Sequence, residues 1–398
     1  MKCQTREGPP RTPLPRQLIC NNFAGQNLKR LSLLDRFFGN AASKIGPWTI
    51  PLKAVRKTEP KSGLVIQEME QPRITPSQVL VEIKATAICG SDLHLYRWDE
   101  IPAKRWMSPI PMTMGHEWSG KIVEVGKDVR TLRVGDNVAG ESHIPCGNCY
   151  YCRTGNMHVC QNMLIFGVQT KEGSFAKYAA VPEIIAYRLP REVSFEEGSV
   201  LEPFGVALHA VERTGIQPGD VVLVMGCGPI GMFAQQIAKA SGAALVIASE
   251  IKEFRLQLAK KIGSADVIIN NDTEDLVKRT MELTNGRGAD VVIELAGSPT
   301  TLRQSLQAVK KTGRVGLVGL PEKPVEIEAT TMIIYKEVNV LGSHGRAMFG
   351  TWERMASLVA KKRIDLTKVI TDRLPIERAE EGFQRVFNGE SGKVLFVP

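Results

Sequence analysis

At 398 residues, 43% hydrophobic and 23% charged, the chain has the composition of an ordinary globular protein, with length for two or three domains. Its net charge of +9 is uneven: residues 1–50 hold eight basic residues against Glu7 and Asp35, so +6 lies there and +3 on the other 348 residues. A body so nearly neutral has no electrostatic footprint for nucleic acid, and no apolar run reaches the roughly eighteen residues of a membrane span.

Residues 1–50 form a basic extension rich in Pro, Asn and Arg. Its first twenty residues lack the apolar core of a secretory signal, so the expected compartment is the cytoplasm and disulfides are the weaker reading for the eight cysteines. Within residues 26–46, "LKRLSLLDRFF" puts Leu31, Leu34 and Phe38 on one helical face with Lys29, Arg30 and Arg36 around it. That pattern fits a mitochondrial targeting helix, which makes the matrix the alternative location; a disordered tail fits the same composition. Cys3 and Cys20 receive no role.

From Leu52 the pattern is β-rich. "VLVEIKATA" alternates Val79, Val81, Ile83 and Ala85 with polar residues, as a half-buried strand does, and "KIVEVG", "VGDNVAG" and "SFAKYAAVP" continue to about Pro190. After Glu202 the rhythm becomes strand–helix–strand. The apolar runs "VVLVM", "ALVIAS", "DVIIN", "DVVIELAG", "RVGLVG" and "VNVLG" alternate with helices from Ile230, through Leu258, near Leu276 and through Leu306. Six such runs predict a doubly wound parallel sheet. The tail has helices expected at 351–361 and 376–388 and a last strand, "KVLFV".

Gly226, Gly228 and Gly231 in "VVLVMGCGPIG" follow the first of these strands at the mouth of a helix. This is the context in which G-x-G-x-x-G binds a dinucleotide: a tight turn, a close approach to the pyrophosphate, and close helix–sheet packing. Glu250 ends the next strand, where a carboxylate accepts from a ribose 2′-hydroxyl and repels a 2′-phosphate, favouring NAD over NADP. Lys252 and Arg255 lie beside it, and Cys227 reads as a small residue of the turn.

Two cysteine-bearing clusters remain. Cys146, Cys149, Cys152 and Cys160 are spaced C-x2-C-x2-C-x7-C, four thiolates able to close a tetrahedron around a structural zinc. A nucleic-acid zinc module would need a basic surface that the charge distribution denies. The second cluster is "ICGSDLH" with Cys89, Ser91 and His94, "GHEWSG" with His116 and Glu117, and "LEPFG" with Glu202. Cys89, His116 and one of the two glutamates would give a catalytic zinc three protein ligands and an open position. His158 and His209 have no such company and are read as structural.

These motifs, in this order over residues 52–398, resemble the zinc-dependent medium-chain dehydrogenases. The resemblance implies an α/β protein in which a GroES-like β-rich catalytic domain is split around a Rossmann domain. The expected divisions are 51–202 (catalytic, with the cysteine lobe at 146–160), 203–343 (Rossmann) and 344–398 (catalytic). It also implies a small-molecule alcohol as substrate, NAD and two zinc ions per chain as cofactors, and a homotetramer. Carried onto matching positions, Cys89, His116 and Glu117 become ligands of the catalytic zinc. Ser91 and His94 become its proton relay, and His143 a substrate contact. Glu202 becomes a movable ligand or a neighbour that tunes the metal. Ile230, Glu250, Arg255, Val318, Gly319, Leu320, Ser343 and His344 become cofactor contacts. "HLYRWDE", "ESHIPCGNC" and "GRAMFGTWERM" are similar to the threonine-oxidising branch, which implies 2-amino-3-oxobutanoate as product. Three features depart from that branch: Ser91 in place of Thr, Val206 in place of Asn, and His344 in "GSHGR" in place of a tyrosine-containing version. "EPFGVALHAV" looks more like the polyol and butanediol branches, and a non-catalytic binding protein on the same fold is the remote alternative.

Overall fold

The structure, a computed structural model, describes residues 52–398. The basic extension, its candidate targeting helix, Cys3 and Cys20 lie outside the described residues. Among the described residues no helix is long and apolar enough to cross a membrane.

All six apolar runs after Glu202 form one parallel sheet. Its order is Val267–Asn270, Leu245–Glu250, Val221–Met225, Ala289–Glu294, Val309–Leu317 and Asn339–Gly342. This is the 3-2-1-4-5-6 order of a Rossmann sheet, which reverses direction of winding beside the first strand. The central runs Leu245–Glu250, Val221–Met225 and Ala289–Glu294 are nearly continuously apolar because both faces are covered. Val222, Val224, Val246, Ala248, Val291 and Ile293 enter one core with helices Leu201–Thr214, Pro229–Ala240 and Glu253–Ile262. Leu223, Met225, Ile247, Ile269 and Val292 enter the other, with helices Leu276–Leu283 and Pro299–Ala308.

The β-rich part folds around the strand Gln78–Ala87. It pairs with Glu117–Val125 on one side; on the other, its first half pairs with Tyr178–Pro182 and its end with the terminal strand Lys393–Val397. The neighbour of Lys393–Val397 is Ile370–Pro375, so the end of the chain completes a sheet begun 300 residues earlier. The expectation of a half-buried strand is corrected here: Gln78 and Leu80 are buried as well, because partners and helices close over both faces. The β-rich reading also missed the helix Gly90–Arg97, and the helix expected at 376–388 begins as a 3-10 turn, Ile376–Arg378, before Ala379–Asn388. The helix Leu201–Thr214 joins the two bodies. The core it shares runs from Ala85 and Ala87 in one sheet to Val222 and Val291 in the other.

Candidate active site

Register brings Cys89, His116 and Glu117 together. Ala87 stands opposite Glu117, so Cys89, two residues on, meets His116 and Glu117 at the start of the facing strand. One ligand atom from each of Cys89, His116 and Glu117 lies within 4.8 Å of the others. Cys89 caps the helix Gly90–Arg97, its N–H donating to Asp92 Oδ2 at 2.9 Å. The other Asp92 oxygen stands 3.6 Å from His116 Nδ1, and both atoms are buried. Burial lowers the pKa of His116, but the Asp92 carboxylate and the Cys89 sulfur outweigh it and raise it well above the usual range. Such surroundings favour a cation, and a carboxylate behind a ligating histidine is the usual support of a zinc site.

Glu117 is fully buried, which pushes its carboxyl up to about 7 against the pull of Lys393. The Lys393 ammonium lies 2.6 Å from Glu117 and donates to the Ile88 carbonyl at 2.9 Å, pinning the segment that leads into Cys89. Glu202 does not join this trio. Its carboxylate accepts from Ser142 Oγ at 2.7 Å and lies 2.8 Å from Arg346 Nη1. Arg346 also clasps Glu141 with two nitrogens, and Trp352 Nε1 donates to Glu141 at 2.8 Å. Glu141 in turn accepts the His143 N–H at 3.0 Å. Burial pushes His143 down to about 3, so it is a neutral ring at working pH. That ring stacks on His344, centroids 5.0 Å apart, and Gly345 lies against its edge, where a Cβ would stand 2.3 Å from Cε1.

Ser91 Oγ is 3.8 Å from Cys89 Sγ, and His94 stands one helical turn from Ser91 on the same helix. His158 and His209 pack edge to face at 5.2 Å between the cysteine lobe and the helix Leu201–Thr214.

In the cysteine lobe, the sulfurs of Cys149 and Cys152 are 3.5 Å apart and those of Cys149 and Cys160 3.8 Å. A zinc tetrahedron with Zn–S of about 2.3 Å has an edge of about 3.8 Å, so the donors fit the ion. Backbone N–H groups of Cys146, Cys149 and Asn162 point at these sulfurs.

The glycine turn fits a dinucleotide. Gly226 has φ +104°, and a Cβ on Gly231 would stand 1.9 Å from the Gly226 oxygen, so helix and strand meet as closely as glycine permits. A Cβ on Gly228 would meet only Arg255 Nη1, at 4.0 Å, which leaves the helix N-terminus open beneath a guanidinium. Glu250 accepts Cys227 N–H at 3.0 Å and Ile251 N–H at 2.8 Å, holding its carboxylate beside the turn. Cys227 is buried in that turn, and burial pushes its thiol up to about 12. Ile230 is half-buried on the first turn of the helix. Val318 and Gly319 both donate to the Glu294 carbonyl at 3.0 Å, and Leu320 projects outward. Ser343 Oγ is buried with no partner among the described residues, and His344 Nδ1 lies 3.0 Å from the His158 oxygen.

Sequence reading missed Asp92, Asp99, Glu141, Arg346, Trp352 and Lys393. Arg346 and Trp352 lie inside "GRAMFGTWERM", but nothing in their spacing tied them to Glu141, more than 200 positions away.

A dinucleotide turn and a Cys–His–carboxylate set in one chain define a metal-assisted dehydrogenase. The chain matches the family described as zinc-binding dehydrogenase over residues 229–361 and the alcohol dehydrogenase GroES-like domain over residues 75–191. It is 44% identical over 347 residues to an L-threonine 3-dehydrogenase of Bacillus licheniformis, covering 87% of this chain and 99% of that one. It is 43% identical over 345 residues to an L-threonine 3-dehydrogenase of Pyrococcus abyssi, covering 86% and 98%. Among solved structures, the 2R,3R-butanediol dehydrogenase of Bacillus subtilis superposes with a TM-score of 0.78 at 33% identity, over 87% of this chain and 99% of that one. The chain belongs to the zinc-dependent medium-chain dehydrogenases. It is an NAD- and zinc-dependent oxidoreductase that oxidises an alcohol.

Proposed function

We propose that the chain oxidises the 3-hydroxyl of L-threonine to 2-amino-3-oxobutanoate, with NAD preferred to NADP. The observation that carries this reading is the 40–44% identity, over nearly their whole length, to L-threonine 3-dehydrogenases from several bacteria and archaea. The half-buried Glu250 carboxylate beside the glycine turn supports NAD. The two donor clusters support two zinc ions per chain, one catalytic at Cys89, His116 and Glu117 and one structural at the four cysteines. The pairing of Lys393–Val397 and Ile370–Pro375 into the first sheet supports a catalytic domain of 51–202 and 344–398 around a Rossmann domain of 203–343. The exposed Ile334, Tyr335 and Val340 at the outer edge of the Rossmann sheet support a homotetramer built through that edge.

When bound, zinc supplies a Lewis acid for the alcohol oxygen and nicotinamide supplies the hydride acceptor. Ser91, beside Cys89, takes the proton from the substrate hydroxyl, and His94 holds it before release to solvent. Neutral His143 positions the substrate by hydrogen bonding, on a ring fixed by Gly345 and His344. Glu202, held by Arg346 and Ser142, tunes the charge at the metal from beside its ligands. Arg255 and the backbone at Ile230, Val318–Leu320 and Ser343–His344 would line the cofactor.

The second reading is a vicinal diol. Val206 in "EPFGVALHAV" and the superposition on butanediol dehydrogenase favour it. NADH formation at 340 nm by zinc-loaded protein, with L-threonine, 2,3-butanediol and sorbitol, each with NAD and NADP, separates the two. Preference for a diol would sink the threonine reading and leave the fold and the metal site standing.

A further inference from the structure

Behind His94 the structure places a carboxylate. His94 Nδ1 lies 2.5 Å from Asp99 Oδ2, and Asp99 Oδ1 accepts the Ile101 N–H at 2.9 Å. The local sequence builds this contact. The helix Gly90–Arg97 ends at Trp98 in the left-handed region (φ 51°, ψ 49°), whose N–H returns to the His94 carbonyl at 2.9 Å. That reversal folds Asp99 back over the last turn. From the following turn, Ile101–Trp106, Trp106 packs edge-on to the imidazole at 6.0 Å. The ring is thus held by a carboxylate and an indole and stays partly open to solvent, with 28% of its side chain exposed.

We propose that Asp99 is a positioning residue of the proton relay, acting through His94; the proposal rests on the reading of His94 as the relay's outer member. An ionised carboxylate only accepts, so Nδ1 carries the proton and the Nε2 lone pair is left for the proton that arrives. When Nε2 is protonated, the imidazolium keeps its Nδ1–H on Asp99 in a charge-assisted hydrogen bond. The Nε2 proton then passes to water and the ring returns to its starting tautomer. Only N–H and O–H bonds are made and broken, and Asp99 stays ionised throughout. Without the carboxylate the ring would divide between two tautomers and rotate.

The test compares the zinc-loaded wild type with Asp99→Asn, Asp99→Glu, His94→Gln and His94→Gln/Asp99→Asn, using the alcohol that supports NADH formation, in H2O and D2O. Asp99→Asn is expected to lower kcat about tenfold, below the usual range for removing a general base because solvent can reach the ring. KM for alcohol and for NAD should stay within about twofold, and the solvent isotope effect should grow. Asp99→Glu should recover part of the loss, and the double variant should be no slower than His94→Gln alone. Wild-type kcat in Asp99→Asn, or losses that multiply in full in the double variant, would overturn the proposal. So would a fall in kcat matched by a rise in both KM values, the mark of a structural role. If His94→Gln itself turns over at the wild-type rate, the relay reading fails and takes this proposal with it. A loss at His94 with none at Asp99 sinks the proposal alone. Nitrogen-15 NMR of histidine-labelled protein reads the tautomer without turnover. His94 should carry its proton on Nδ1 in the wild type and shift toward Nε2 in Asp99→Ala; an unchanged tautomer contradicts the proposal.

Discussion

The cofactor turn and the metal pocket are assembled in opposite ways. The turn is local: Gly226, Gly228 and Gly231 lie within six residues, and Glu250 is 24 positions from Gly226. Backbone geometry does the work there: Gly226 supplies a positive φ, Gly231 a close helix–strand contact, and Gly228 leaves the helix N-terminus open. The metal pocket draws on segments near residues 89, 117, 141, 202, 346 and 393. They are held in place by buried charge: Lys393 on Glu117, Arg346 on Glu141 and Glu202, Asp92 on His116. A local site tolerates changes elsewhere in the chain. A pocket joined by buried ion pairs fails when any one partner is removed, because the other is left charged in a dry interior.

The largest expected effect separates the two metal clusters. On the proposed reading of two zinc ions per chain, Cys89→Ala should remove one of them and lower turnover by about 10³-fold or more, since the Lewis acid goes with it. Global stability should change little, because the lobe of Cys146, Cys149, Cys152 and Cys160 is intact. Zinc content by atomic emission, read beside kcat, checks this; retention of both zinc ions would show that Cys89 is not a ligand. Next in size is Arg346→Met. It strands the Glu141 and Glu202 carboxylates and should destabilise the fold by about 3–5 kcal/mol, measured by urea unfolding. A loss below about 1 kcal/mol would mean that the pocket is not held by this pair.

The same contrast explains what the sequence made legible. Six apolar runs at regular spacing announced the parallel sheet, and the glycine turn was legible at the end of its first strand, because both are patterns of neighbouring residues. Cys89, His116 and Glu117 could be paired because they sit in short motifs, and the register Ala87–Glu117 then brings them together. The charges behind them could not be seen. Lys393 looks like the polar start of a terminal strand, and only antiparallel pairing of that strand with Thr86 and Ala87 delivers its ammonium to Glu117. Glu141 looked like one more polar residue before the cysteine lobe. The different settings of Glu117, beside Cys89 and His116, and of Glu202, on Arg346 and Ser142, were hidden in the sequence for the same reason.

Acid should find this pocket through Glu141. Burial alone would raise its carboxyl, but the Arg346 guanidinium outweighs that, helped by His143 and Trp352, and holds it down at about 2 against an ordinary 4.5. A carboxylate depressed in the folded state contributes stability that is complete above the unfolded value. It is lost as pH falls from about 4.5 through about 2, because the unfolded chain takes up the proton first. The shift corresponds to about 3 kcal/mol. Wild type should therefore lose stability faster than Glu141→Gln over that window, the gap closing by up to about 1.4 kcal/mol per pH unit. Parallel acid unfolding curves would show that Glu141 is not the group that titrates.

The smallest effect belongs to the cofactor turn, and it tests whether that site is as local as it looks. Glu250 is held by the N–H groups of Cys227, Ile251 and Lys252, all close in sequence or in the adjoining turn, and no ion pair to it is found among the described residues. Removing its charge with Glu250→Gln leaves an acceptor for those amides, so stability and metal content should hold. The loss should be confined to the cofactor. KM for NAD should rise about tenfold, the worth of about 1.4 kcal/mol, with kcat nearly unchanged. NADP should become a better substrate, because the repulsion of its 2′-phosphate is relieved while Lys252 and Arg255 remain nearby. If Glu250→Gln instead lowered kcat or released zinc, the turn would be coupled to the metal pocket through the shared core of Leu201–Thr214 and Pro229–Ala240. The two regions would then have to be treated as one site.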